Sequence, residues 1–179
     1  MLAQRFYLSE IIISIVIHSI RSVQNIPATL EQVWDFYSHH ANLQTITPPQ
    51  MKFRIISKDQ ADNLYSGQII EYKVTPLAGI PLYWKTEIKN VTPPVYFMDE
   101  QQKGPFSIWQ HQHMFKTVEG GVEMTDIVLY KAPLWLMGEL ANILFLKRKL
   151  RNIFAFRFQK MEEIFGQWPG GHEIKIVIN

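Results

Sequence analysis

The chain has 179 residues, 47% hydrophobic and 13% aromatic, and a formal net charge of +2. Those values exclude a disordered chain, which needs low hydrophobicity and high charge, and a collagenous one, which needs a Gly and Pro excess. With no cysteine there is no disulfide scaffold, thiolate metal site or cysteine nucleophile, and so small a charge is no nucleic-acid signature.

The apolar run at 11–17 contains Ser14 and ends at His18. A membrane span needs roughly 20 such residues. Arg5 is the only early base and no small-residue cleavage site follows, so no leader and no stable membrane insertion are expected. A cytoplasmic location fits the composition. The β-branched content of 12–25 predicts a first strand. Thr29 and Gln32 have the spacing of a capping box. A short helix follows, with Leu30, Val33, Trp34 and Tyr37 at helical spacing. A second helical turn is predicted over 43–46, ended by Pro48 and Pro49. Six strand-like segments come next, at 53–57, 69–76, 82–91, 96–101, 107–118 and 122–132. Turn residues separate them at Asp62 and Asn63, at 77–81, at Pro93 and Pro94, and at Gly120 and Gly121. From 134 to 165 the apolar period becomes helical, and Gly138 offers a point of division. Residues 173–178 read as a short extra strand or as a tail. One domain is expected over 12–165, with an extension at 1–11 and a tail at 166–179. The order strand, two short helices, six strands and a long helix is α+β, an antiparallel sheet of about seven strands.

Strand side chains alternate faces. The apolar-rich set on each strand is taken as inward: Ile70, Tyr72 and Val74; Trp84, Thr86 and Ile88; Phe97, Asp99 and Gln101; Trp109, His111, His113 and Phe115; Met124, Asp126, Val128 and Tyr130. Asp99, Gln101, His111, His113 and Asp126 are the polar members. They fall on consecutive strands, so they are expected to converge. On the long helix, Ile143, Leu146, Leu150, Ile153, Phe154, Met161, Ile164 and Phe165 share one stripe, with Arg157 in its middle. A buried guanidinium needs a counter-charge, and Asp99 and Asp126 are the inward carboxylates. Removing Arg157 would then strand a carboxylate and cost stability.

The chemistry of this cluster has several readings. His111 and His113 with one aspartate have the residue types of a metal site. However, strand positions two apart lie about 7 Å from each other, which is awkward for chelating one ion unless the side chains bend together. No metal and no cofactor are assigned. An Asp–His pair drawn from His111, His113, Asp99 and Asp126 suits acid/base catalysis; the bland alternative is an ion network that fixes the helix on the sheet. The aromatic residues suit either a core or the wall of an apolar pocket. Lys147, Arg148, Lys149 and Arg151 read as a solvated helix face, and no nucleic-acid partner is expected.

The motifs that carry a family resemblance are Asn-Leu-Gln-Thr-Ile-Thr-Pro-Pro at 42–49, Trp-Lys-Thr-Glu-Ile at 84–88, and Phe-Met-Asp-Glu-Gln at 97–101 with Gly104, Pro105 and Phe106. They continue with Trp-Gln-His-Gln-His-Met-Phe at 109–115, Asp-Ile-Val-Leu-Tyr at 126–130 with Pro133, and Ile-Phe-Ala-Phe-Arg at 153–157. With the element order, these resemble the helix-grip fold of the START, birch-pollen-allergen and polyketide-cyclase superfamily (SRPBCC), in its bacterial ligand-binding group. The resemblance implies a hydrophobic small-molecule ligand in a cavity under the long helix. In related bacterial proteins the domain is also fused to a nucleotide-sugar-epimerase-like module. No catalytic residue, protein partner or named ligand transfers with it. The expected pocket wall is Tyr72, Trp84, Thr86, Phe97, Trp109, Phe115, Tyr130 and Phe154, with Asp99, Gln101, His111, His113, Asp126 and Arg157 as its polar end. The alternative is a cyclase or aromatase acting through a buried Asp–His pair on an aromatic or polyketide substrate.

Overall fold

The structure, a computed structural model, describes residues 17–57, 61, 63–77, 79–132, 140–171 and 175–179. The first strand, β1, runs over His18–Ile26. The predicted strand residues 12–16, the extension at 1–11, Asp62, Pro133, Gly138 and the helix residues 134–139 lie outside the described ones.

Helix α1 covers Leu30–Ser38. Its capping box is formed: the Thr29 hydroxyl accepts from the Gln32 amide N–H, and the Gln32 side-chain oxygen accepts from the Thr29 N–H at 3.0 Å. Thr29→Ala is expected to cost about 1 kcal/mol, read as a shift of the urea midpoint with an unchanged slope. A loss below a few tenths would show that packing alone starts this helix.

The second helical turn is a 3-10 turn at His40–Gln44, three residues earlier than the sequence reading placed it. A further 3-10 turn covers Pro49–Met51. Proline ends an α-helix by lacking a donor, but the first position of a new turn needs none.

The remaining strands are β2 (Arg54–Ile55), β3 (Ile69–Leu77), β4 (Ile80–Thr92), β5 (Tyr96–Lys103), β6 (Ile108–Val118) and β7 (Gly121–Lys131). Helix α2 spans Leu140–Phe165 and β8 spans Lys175–Ile178. One eight-stranded sheet results, in the order β2-β3-β4-β5-β6-β7-β1-β8, with every pair antiparallel. The segment left open between strand and tail is thus an edge strand on β1, and the sheet has eight strands rather than about seven. Gly121 closes the β6–β7 hairpin where a Cβ would collide with the Ile26 carbonyl oxygen.

The predicted inward faces of β3, β4, β6 and β7 are the covered ones. At one end α1 packs on the sheet: Val33 and Tyr37 join Phe97, Phe115, Met124 and Met161 in one core group. At the other end Leu146, Leu150 and Phe154 of α2 join Ile20, Val128 and Tyr130. The stripe on α2 differs from the sequence reading at its C-terminal end. Phe158 is buried and Ile164 is 41% exposed. The helix also packs against β1 and β8, so more than one stripe of it is covered. Gln24 of β1 donates to the Phe158 carbonyl at 3.0 Å. Among the described residues no helix is long and apolar enough to cross a membrane.

Candidate functional site

Strands β5, β6 and β7 are adjacent, and their register opposes Asp99 to His111 and His113 to Asp126. Side chains directly opposite on one face lie about 5 Å apart at Cβ. Two acids and two imidazoles are thereby gathered into a four-membered cluster. His111 Nε2 is 2.8 Å from Asp126 Oδ1, and His113 Nε2 is 3.1 Å from Asp99 Oδ2. The two other nitrogens lie close but less well aligned: His113 Nδ1 is 3.0 Å from Asp126 Oδ1, and His111 Nδ1 is 3.4 Å from Asp99 Oδ2. The imidazole centroids are 3.8 Å apart. His113 also stacks on Phe97, with centroids 4.2 Å apart.

The two histidines titrate in opposite directions. Burial opposes the charged form of both. For His113 the hydrogen bonds and charges of Asp126 and Asp99 outweigh burial and raise its pKa. For His111, burial together with the charge on His113 prevails and lowers its pKa. Burial pushes the Asp126 carboxyl up, but His111 and His113 overcome it and hold the group well below the usual carboxylate range. His113 is therefore the imidazole that carries the extra proton more readily.

Arg157 reaches this cluster from α2, as its place in the apolar stripe predicted. It is an ion-pair neighbour rather than a hydrogen-bonded partner: Nη1 stands 3.9 Å from Asp126 Oδ1, an oxygen already engaged by the imidazoles. Neither Nε nor Nη1 finds an acceptor among the described residues. The guanidinium lies 5.2 Å from the Phe154 ring centroid.

A cavity of about 190 Å³ lies between this face of the sheet and α2. Of the residues expected to form it, Tyr72, Trp84, Thr86, Phe97, Asp99, Trp109, His111, His113, Phe154 and Arg157 line it. Tyr72 and Thr86 hydrogen-bond each other at 3.2 Å, and burial above all keeps the Tyr72 phenol protonated.

Four expected residues do not line it. Gln101 turns to the backbone, donating to the Phe106 carbonyl at 2.6 Å and accepting from the Phe106 N–H, so it braces the turn after β5. Phe115 is covered by Trp34 and Tyr37 of α1. Tyr130 packs against Phe106 and Trp109, which line the cavity themselves, and burial pushes its phenol up to about 12. Asp126 sits behind the two histidines.

The sequence reading missed the residues that close the cavity. Tyr37, Leu43, Ile46, Met51 and Phe53 come from α1, the two 3-10 turns and the chain just after them. Their apolar character was legible, but their place over the sheet was not. Lys149, read as part of a solvated face, also lines the cavity, while Arg148 and Arg151 are exposed.

No known family profile and no curated protein matches the sequence. Solved structures do match. Protein Ms6760 from Mycobacterium smegmatis is 17% identical, with a TM-score of 0.60 over 82% of this chain and 89% of that one. Ara h 8.0201 is 12% identical, with a TM-score of 0.54 over 83% of this chain and 99% of that one. A nucleoside-diphosphate sugar epimerase from Corynebacterium glutamicum is 22% identical, with a TM-score of 0.58 over 80% of this chain but 28% of that one. At these identities the likeness shows the fold alone. That fold is the α+β helix-grip arrangement, a curved antiparallel sheet against a long C-terminal helix.

Proposed function

We propose that this chain binds a hydrophobic small molecule in the cavity between the sheet and α2, with an acceptor-bearing end of the ligand directed at Arg157. The observation that carries this reading is an apolar cavity containing a buried cation with two unused donors. Pockets of this composition fix a ligand by apolar burial and orient it by a few polar groups. The buried Trp84 Nε1 also finds no acceptor among the described residues and adds a third donor on the cavity wall. An engineered apolar cavity of about 150 Å³ holds benzene, so about 190 Å³ suits a substituted aromatic ring or a short chain. The helix-grip resemblance implies the same class of ligand.

Native mass spectrometry of the purified chain, followed by denaturing extraction, is the direct test. A co-purifying apolar compound near one per chain is expected. If the chain emerges empty, naphthoate and neutral naphthalene are titrated while tryptophan fluorescence is followed, since Trp84 and Trp109 line the cavity. Arg157→Gln is expected to weaken naphthoate about tenfold or more and to leave naphthalene unchanged, because hydrogen bonds to charged groups contribute about 1.5–3 kcal/mol. An empty chain that saturates with neither probe overturns the reading.

A further inference from the structure

Asp99, His111, His113 and Asp126 are short of protons. Four nitrogen–oxygen approaches of 2.8 to 3.4 Å join them. Two neutral imidazoles hold two N–H groups, and one imidazolium raises the count only to three. Any approach without a proton sets a nitrogen lone pair against a carboxylate oxygen. If Asp126 Oδ1 takes the protons of His111 Nε2 and His113 Nδ1, then His111 Nδ1 and His113 Nε2 are both bare. Both of these nitrogens face Asp99 Oδ2, at 3.4 and 3.1 Å.

Those three facing atoms have the layout of a ligand set. Each of the three residues offers a donor atom within 4.8 Å of the others. Ligands held about 2.0–2.2 Å from a four-coordinate ion lie roughly 3.4 Å apart. Asp99, His111 and His113 all line the cavity, whereas Asp126 does not. A fourth position would therefore open toward the cavity. Asp126 stands behind the two histidines, hydrogen-bonded to His111 Nε2 and 3.0 Å from His113 Nδ1, where a bracing carboxylate stands in a metal site. The objection from strand spacing does not apply, because the rings lean together to 3.8 Å.

We propose that Asp99, His111 and His113 bind one divalent first-row transition-metal ion, with Asp126 orienting the two imidazoles. Two imidazoles and one carboxylate suit zinc or ferrous iron, while calcium and magnesium prefer oxygen-rich shells. The metal site and the apolar ligand are independent: either can be absent without the other.

The test uses the full chain, stripped with a chelator and titrated with Co²⁺ and Zn²⁺ by calorimetry and visible absorption. One ion per chain is expected. Asp99→Ala and His113→Ala are each expected to weaken uptake by about 100-fold or more. Asp126→Asn should weaken it by about 10–100-fold, as loss of an outer-shell partner does. His18→Ala, at the start of β1, should leave it unchanged. A folded wild-type chain that takes up no stoichiometric ion overturns the proposal. So does an uptake that Asp99→Ala and His113→Ala do not move. If those variants fail to fold, X-ray absorption of the zinc-loaded wild type decides: two imidazoles in the ligand shell support the site, and fewer overturn it.

Discussion

Asp126→Ala is expected to lower the stability of the fold by about 3–5 kcal/mol, the range for breaking a buried ion pair by removing one partner. In a domain of this size that is a fall in melting temperature of roughly 6–20 °C. The residue is 3% exposed and faces two imidazoles at 2.8 and 3.0 Å, with a guanidinium at 3.9 Å. Its removal leaves the N–H of His111 without an acceptor and leaves Arg157 buried without its nearest counter-charge. The sequence reading expected the loss of Arg157 to strand a buried carboxylate. The distances make Asp126 the costlier loss, since it keeps both histidines when Arg157 is gone. Arg157→Gln should therefore cost clearly less than Asp126→Ala. Thermal unfolding of the two variants side by side checks this, and equal costs would mean that the 3.9 Å contact holds the network after all.

Ile153→Trp is expected to abolish binding of a ring-sized ligand, by at least about 100-fold or ~2.7 kcal/mol. Ile153 lies on α2 between two core groups and lines the cavity. A larger side chain in a filled core forces strain of about 1–3 kcal/mol. Here the indole has empty space to enter, so the melting temperature should hold or rise. Fluorescence titration with naphthoate and a thermal scan on the same sample read both effects. Unchanged affinity in a stable variant would place the ligand elsewhere, whereas lost affinity with lost stability would report damage to the core. Asp126→Ala thus probes the polar cluster through folding, and Ile153→Trp probes the cavity through binding.

The parts of the site legible in the sequence were those set by local geometry. Alternation along a strand placed Asp99, His111, His113 and Asp126 on one face, because a strand has a fixed period of two. Helical periodicity turned Arg157 inward for the same kind of reason. The Thr29–Gln32 box depends on four consecutive residues and formed as expected. Gln101 shows where that logic stops. It lies on the correct face, yet a nearby backbone N–H and C=O were free to bond it, and periodicity carries no information about such competition. Phe115 and Tyr130 likewise face inward, but α1 covers the first, and Phe106 and Trp109 stand against the second.

By itself, then, the amino-acid sequence determined the element order, the inward faces and the gathering of two acids, two histidines and one arginine. Only the tertiary structure decided the distances among them, which separate an imidazole contact of 2.8 Å from an arginine contact of 3.9 Å. It alone also decided which segments close the cavity, because Leu43, Ile46 and Met51 reach it through chain reversals rather than through a repeating pattern. The physical reason is that faces follow from backbone periodicity within one element, while contacts follow from packing between elements distant in sequence.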